Sequence, residues 1–212
     1  MKIKVCGMRE EENLNQLLAM NPDYIGFIFY SKSKRHVPEI PNIRLPENIC
    51  KVGVFVNAGL DYIWKRIKGY ELDVIQLHGD ETPEFCKEAR DFLVKRNCNV
   101  QIVKAFSVDH QFDFDSTNPY ERYCDFFLFD TKGKYYGGNS ERFDWRLLQD
   151  YKGILPYFLS GGIGPDSVND IQNFRKSPWA AYCVALDLNS RFEDAPGVKN
   201  IDKLIKFKEA LQ

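Results

Sequence analysis

The sequence predicts an α/β chain built on a parallel eight-stranded sheet, and three observations carry that prediction. Eight apolar runs of strand length recur along the 212 residues: Ile3–Cys6, Tyr24–Phe29, Val52–Val56, Val74–Leu77, Ile102–Phe106, Phe126–Phe129, Tyr157–Leu159 and Tyr182–Leu186. They are nearly continuous in apolar character rather than alternating, the pattern of strands covered on both faces. Between them lie stretches with helical spacing, so strand and helix alternate and parallel pairing through crossovers follows. With right-handed crossovers, eight such units can close into a (β/α)8 barrel. The competing arrangement is an open doubly wound sheet. That fold normally carries a glycine-rich dinucleotide loop after its first strand, and Cys6-Gly7-Met8-Arg9 is not one.

The connecting elements follow in order. After the first run, Leu14, Leu17 and Leu18 have helical spacing. Between the second and third, Pro38, Pro41 and Pro46 interrupt the chain, so only a weak helix is expected. Tyr62-Ile63 with Ile67 follow the third run, and Phe85, Ala89, Phe92 and Leu93 the fourth. After the sixth, a short helix is expected to begin near Phe143-Asp144-Trp145. Pro165-Asp166-Ser167 opens a helix carrying Val168 and Ile171, with proline at a position where a missing N–H costs nothing. Leu204, Ile205, Phe207 and Leu211 mark the last helix. No linker, low-complexity segment or charge block divides the chain, so residues 1–212 read as one domain.

Composition narrows the function classes. The 29 basic and 30 acidic residues leave a net charge of -1, so no global field draws the chain to nucleic acid or an anionic membrane. An anionic ligand must therefore be held by local groups. No apolar run approaches a membrane span, and the N-terminus enters a strand pattern with no signal core. The six cysteines form no CxxC pair and no zinc-like spacing with the three histidines. Reduced thiols in a cytoplasmic protein, with no metal and no cofactor, are the expectation.

In a barrel the chemistry gathers at the C-terminal strand ends. There the first strand offers Cys6, the third Asn57, the fourth Gln76, His78 and Gly79, and the sixth Asp130. A thiolate and a carboxylic acid across one cleft can take a proton from one side of a substrate and supply one on the other. The loop after the second strand contains Arg35, whose planar fork suits a carboxylate. Gly161-Gly162 after the seventh strand lets backbone N–H groups approach an anion, as an ordinary tight turn also would. The eighth strand brings Asp187, then Ser190 and Arg191, the first able to add a hydroxyl and the second a charge.

Taken as an ordered set, these blocks resemble the phosphoribosylanthranilate isomerase family. The matching pieces are Lys4-Val5-Cys6-Gly7, Gly26 to Tyr30 with Ser31-Lys32-Ser33-Lys34-Arg35, Val52 to Asn57, and Gln76-Leu77-His78-Gly79. They continue with Asp130-Thr131, Tyr136-Gly137-Gly138, Phe143-Asp144-Trp145, Leu159-Ser160-Gly161-Gly162, and Asp187 through Pro196-Gly197. The resemblance implies a single-domain (β/α)8 barrel and a cofactor-free enzyme with a small-molecule substrate, present as a monomer or a homodimer. It implies Cys6 as general base and Asp130 as general acid. It places Arg35 on the anthranilate carboxylate, Gly161-Gly162 and the Ser190 segment on the phosphate, and Asp187 near the substrate. His78 belongs to the same substrate-binding set. The reaction asks Asp130 to hold a proton and Cys6 to have a lowered pKa. Two positions depart from the family pattern: Arg191 and Ser140 stand where glycine is common. A histidine-pathway aminoaldose isomerase is the nearest enzyme rival, but that family has a carboxylate where this chain has Cys6. A catalytically silent phosphate-binding barrel is the rival of another class, and the joint presence of Cys6, Asp130 and Arg35 speaks against it.

Overall fold

The computed structural model describes residues 1–41, 43–131 and 143–212; the Tyr136-Gly137-Gly138 block and Ser140 lie outside the described residues. Strands β1 (Lys2–Cys6), β2 (Tyr24–Ile28), β3 (Cys50–Phe55), β4 (Val74–Leu77), β5 (Gln101–Val108), β6 (Phe126–Thr131), β7 (Tyr157–Leu159) and β8 (Cys183–Leu188) are parallel neighbours in sequence order. β8 pairs back onto β1 through Lys2↔Ala185 to Val5↔Leu188, which closes the barrel and leaves this sheet without an edge strand. The eight strands lie where the apolar runs predict them, with ends shifted by a residue or two.

Successive side chains of a strand point to opposite faces, and that parity sorts the molecule into two cores. On β1, Ile3 and Val5 join the outer apolar layer under the helices, while Cys6 joins the inner cluster with Val52, Val54, Val103, Leu128 and Phe158. Lys4, two residues before Cys6, shares its inward face. On β6, Phe127 and Phe129 point outward and Leu128 inward, so Asp130 also faces in. Phe129 is gripped edge-on by Phe114, Tyr151 and Tyr157, with ring centroids 5.4, 5.2 and 5.2 Å away. Each such pair contributes about 0.5–1.5 kcal/mol beyond burial, so the residue before Asp130 is held firmly from behind.

The helices are α1 (Glu11–Leu18), α2 (Leu60–Tyr70), α3 (Pro83–Val94), α4 (Val168–Phe174) and α5 (Ile201–Ala210). α3 begins where Thr82 accepts the Phe85 N–H and Pro83 occupies the first turn, and α5 where Asn200 accepts the Lys203 N–H. Strict strand–helix alternation is corrected in three places. The β2–β3 connection contains no helix among the described residues, because its prolines remove donors and block the turn. Among the described residues, the crossovers after β5 and β6 each hold one 3-10 helix, Phe114–Tyr120 and Trp145–Asp150. Tyr62 is the exception within α2: Ile63 and Ile67 are buried, but Tyr62 is exposed and stacks with Arg66. After β8 comes a hairpin that no apolar run announced, β9 (Glu193–Ala195) against β10 (Val198–Lys199), turning at Pro196-Gly197 with Gly197 at φ 86°. Among the described residues, no helix is long and apolar enough to cross a membrane.

Candidate active site

Cys6 ends β1 on the inner face and is 3% exposed. The bend after it uses Gly7 at φ 80°, whose N–H and that of Met8 both donate to the Gly26 carbonyl at 2.8 and 3.1 Å. Gly26 on β2 makes room for the thiol: a Cβ there would lie 2.7 Å from Cys6 Sγ. The charged groups acting on the thiol are Lys4 from its own strand, Asp187 from β8 and Lys199 from β10. Burial pushes the Cys6 pKa up, Lys4 and Lys199 pull it down, Asp187 pushes it up again, and the net result is above the ordinary thiol value. The lowered thiol that the reaction asks for is therefore not what the structure holds: desolvation on the inner face outweighs two nearby cations.

Beneath Cys6 the barrel interior is polar. The Lys4 ammonium, 1% exposed, donates to Gln76 Oε1 at 2.6 Å and to Asp187 Oδ2 at 3.0 Å. Burial alone would push the Lys4 pKa down, but Asp187 and Cys6 outweigh it, and Lys4 stays charged. Burial raises the Asp187 pKa against the opposing pull of Lys4. Asp187 Oδ1 is buried without a hydrogen-bond partner among the described residues. Such an oxygen is costly unless something polar meets it.

Asp130 is the penultimate residue of β6 and is 7% exposed. Its Oδ1 accepts the Thr131 N–H at 2.8 Å, and His78 Nε2 lies 3.4 Å from Oδ2. Gln76 Nε2 sits 2.6 Å from the other ring nitrogen, His78 Nδ1. The loop after β7 closes on the same spot. Gly161 has φ 89°, and a Cβ on it would fall 2.2 Å from Thr131 Oγ1 and 3.0 Å from Asp130 Oδ1. Gly162 continues the bend at φ 60°. Both glycines are thus required by left-handed backbone, and Gly161 also by its close approach to the end of β6.

The helix expected from Pro165 starts as a 3-10 turn, Pro165–Ser167, and becomes α4 only at Val168. Arg191 lies over this turn. Its Nη2 is 3.0 Å from Asp166 Oδ1, and a Cβ on Gly164 would meet its Nε at 2.6 Å. Ser190 opens the adjoining 3-10 turn, Ser190–Phe192. Gly161, Gly162, Ser190 and Arg191 therefore border one end of the mouth, between β7 and β8.

Arg35 lies in the loop after β2, and its side chain reaches the segment that follows β8. Its Nε and Nη2 fork onto Glu193, at 2.8 Å to Oε1 and 2.6 Å to Oε2. Glu193 also accepts from Lys199 Nζ at 2.5 Å and from the Gly197 N–H at 3.1 Å. Lys199 Nζ reaches Asn189 Oδ1 at 2.8 Å. Burial would raise the Glu193 pKa, but Arg35 and Lys199 outweigh it and hold the carboxyl below its usual range. Burial pushes the Lys199 pKa down against the pull of Glu193. One edge of the Arg35 fork is thus committed to a protein carboxylate, while Nη1 makes no bond among the described residues.

Every predicted site residue lies on the mouth or its lining. Glu193 and Lys199 escaped sequence reasoning because they belong to the unforeseen hairpin. Lys4 left a signal: a lysine two residues before Cys6 in an apolar strand must share its face. Among the described residues, no group of three or more His, Cys, Asp or Glu is placed to hold a metal ion.

Comparison with known proteins gives the site a context. Residues 3–210 match the family model for N-(5'phosphoribosyl)anthranilate (PRA) isomerase. The chain is 45% identical to the N-(5'-phosphoribosyl)anthranilate isomerase of Parabacteroides distasonis, over 98% of this chain and 91% of that protein. The crystal structure of phosphoribosyl anthranilate isomerase from Thermotoga maritima superposes with a TM-score of 0.81 at 28% identity, covering 100% of this chain and 98% of that one. A phosphoribosyl anthranilate isomerase in complex with reduced 1-(o-carboxyphenylamino)-1-deoxyribulose 5-phosphate superposes at 0.78 with 27% identity and the same coverage.

Proposed function

This chain belongs to the N-(5'-phosphoribosyl)anthranilate isomerase family, and from that premise we propose that Cys6 and Asp130 are the base and the acid of its reaction. The reaction is the Amadori rearrangement of N-(5'-phosphoribosyl)anthranilate to 1-(2-carboxyphenylamino)-1-deoxyribulose 5-phosphate, a step of tryptophan biosynthesis. Asp130 gives its proton to the ribose ring oxygen as the anilino nitrogen lone pair expels that oxygen from C1. The furanose opens to a protonated Schiff base. Cys6, as thiolate, removes the C2 proton, and the electrons of that C–H bond neutralise the iminium. The resulting enolamine tautomerises to the ketone.

The observation that carries the assignment is parity. Cys6 and Asp130 lie at the C-terminal ends of different strands of one closed barrel, both on its inner face, at the rim where the glycine pair and the arginine fork also stand. The raised thiol fits a base that is charged only when cations gather. Lys4 and Lys199 supply two, and the iminium formed on ring opening adds a third beside C2. Substrate electrons drive both steps, so the protein needs to move protons and hold charges.

The substrate's ends supply the rest. Its phosphate is assigned to the Gly161-Gly162 bend, with Ser190 and Arg191 beside it; Arg191 would exchange part of its bond to Asp166 for the phosphate. The anthranilate carboxylate is assigned to the Nη1 edge of Arg35, and Asp187 Oδ1 to a ribose hydroxyl. The test is turnover of freshly made phosphoribosylanthranilate, followed by loss of anthranilate-type fluorescence with chelator present. Turnover that collapses in Cys6→Ala and Asp130→Asn is the expected result. Near-native turnover in either variant removes that residue from the mechanism.

A further inference from the structure

A row of polar side chains, Lys4, Gln76 and His78, runs through the barrel interior from the strand of Cys6 to Asp130, and its chemistry permits one arrangement. Lys4 Nζ has only hydrogens to offer, so the Gln76 atom 2.6 Å away must be the amide oxygen. The Gln76 amide nitrogen then faces His78 Nδ1 at 2.6 Å, and it too can only donate. Nδ1 must therefore accept and carries no proton. A neutral ring with a bare Nδ1 has its proton on Nε2, the nitrogen 3.4 Å from Asp130 Oδ2.

The surroundings lock this order. Gln76 is 1% exposed and lies on β4, paired through Val54↔Gln76 and Gln76↔Val103. Turning its amide over would set NH2 against an ammonium and oxygen against Nδ1. Lys4 is itself tied to Asp187 at 3.0 Å, so it cannot turn away without leaving a buried charge unpaired. His78 follows β4 directly, with its N–H on the Phe55 carbonyl at 2.8 Å, so the ring has a fixed root.

We propose that Gln76 is a positioning residue for the isomerisation: oriented by Lys4, its amide holds His78 as the neutral Nε2–H tautomer, with that nitrogen 3.4 Å from Asp130 Oδ2. The proposal rests on Asp130 being the acid. Its function would be to keep a neutral hydrogen-bond donor beside the carboxyl group. That donor steadies the carboxylate left after the ring oxygen takes its proton, without adding a further cation near the iminium.

The test is nitrogen-15 NMR of the full-length labelled protein at neutral pH, with its three histidines assigned by way of His78→Asn. Wild type is expected to carry the His78 proton on Nε2 alone. Gln76→Glu keeps an acceptor for Lys4 and replaces the NH2 with a second acceptor, so His78 Nδ1 gains a proton. The same variant should lose roughly tenfold or more in kcat with KM changed less than about twofold. A Gln76 that merely filled space would alter melting temperature but neither the protonated nitrogen nor the kcat-to-KM split. A wild-type His78 with its proton on Nδ1 overturns the proposal, and that spectrum decides even if the variant fails to fold. A Gln76→Glu spectrum unchanged from wild type also overturns it. The spectra need no substrate, and turnover of Asp130→Asn, measured alongside, tests the acid assignment separately.

Discussion

Cys6 and Asp130 differ in what their surroundings ask of them, and the difference is measurable. The raised thiol pKa means that a Cys6-dependent reaction gains rate as pH rises through the alkaline side of neutrality. Alkylation of Cys6 by iodoacetamide should follow the same limb, and Lys4→Met should move that limb to higher pH by removing a cation. A limb that stays in place would show that Lys4 does not act on the thiol. Cys6→Ala and Asp130→Asn should each lose about 10²–10⁴ in kcat, or ~3–5 kcal/mol of barrier. Their melting temperatures should stay close to wild type. At this scale the sequence was informative about identity and silent about environment. A thiol at the end of an apolar strand is visible; the balance of burial, Lys4 and Lys199 that sets its charge exists only after β8 and the hairpin close around it.

The elements place these groups through a few tight junctions. Gly161 is the sharpest: an alanine there would meet Thr131 and would also occupy a φ of 89°. Gly161→Ala should destabilise the fold by about 1–3 kcal/mol and lower kcat, since the loop must retreat from Asp130. Chemical denaturation with kinetics checks both; an unchanged midpoint would mean that the loop accommodates the methyl. The β9–β10 hairpin has the complementary task. Glu193→Gln keeps the shape but drops the charge that orients Arg35, and KM should rise roughly tenfold while kcat falls less. Equal falls in kcat and kcat/KM would instead place Glu193 in the chemical step. Helices with clear apolar spacing, such as the one carrying Ala89 and Leu93, were legible from sequence. The crossovers at Phe114–Tyr120 and Trp145–Asp150 became 3-10 turns, because they are too short to complete an apolar stripe. The hairpin left only Pro196-Gly197 as a clue, since its strands are short and polar.

For the whole molecule, closure was predictable and its consequences for stability follow from what it buries. Burial pushes the Cys183 thiol up to about 12 from its ordinary 9.0, and Tyr120 up to about 12 from 10.0. Both groups are neutral when protonated. As pH rises past their ordinary values, the unfolded chain releases protons that the folded chain still holds, so stability is full below about 9 and declines above it. Melting temperature followed by circular dichroism should fall steadily from about pH 9 upward, and Cys183→Ala should make the fall shallower. A flat profile would mean that these groups ionise in the fold without penalty. Eight-strand closure was readable from eight evenly recurring apolar runs. What could not be read was how the two ends of the chain meet. Asn13 at the start of the molecule accepts the Lys199 N–H at 2.7 Å and donates to its carbonyl at 2.8 Å. A pair of residues 186 positions apart leaves no pattern in a linear string.

That meeting of ends gives the molecule a timetable. Cys6 and Arg35 are made well before Glu193 and Lys199, of which the first binds the arginine fork and the second pulls the thiol pKa down. Synthesis proceeds from the N-terminus, so a nascent barrel of seven units holds the Cys6 thiol without its second cation and the Arg35 fork without its carboxylate. The surroundings of both side chains are therefore completed together when residues 193–199 emerge, and a nascent chain that has reached only Phe192 has all eight barrel strands but none of that hairpin.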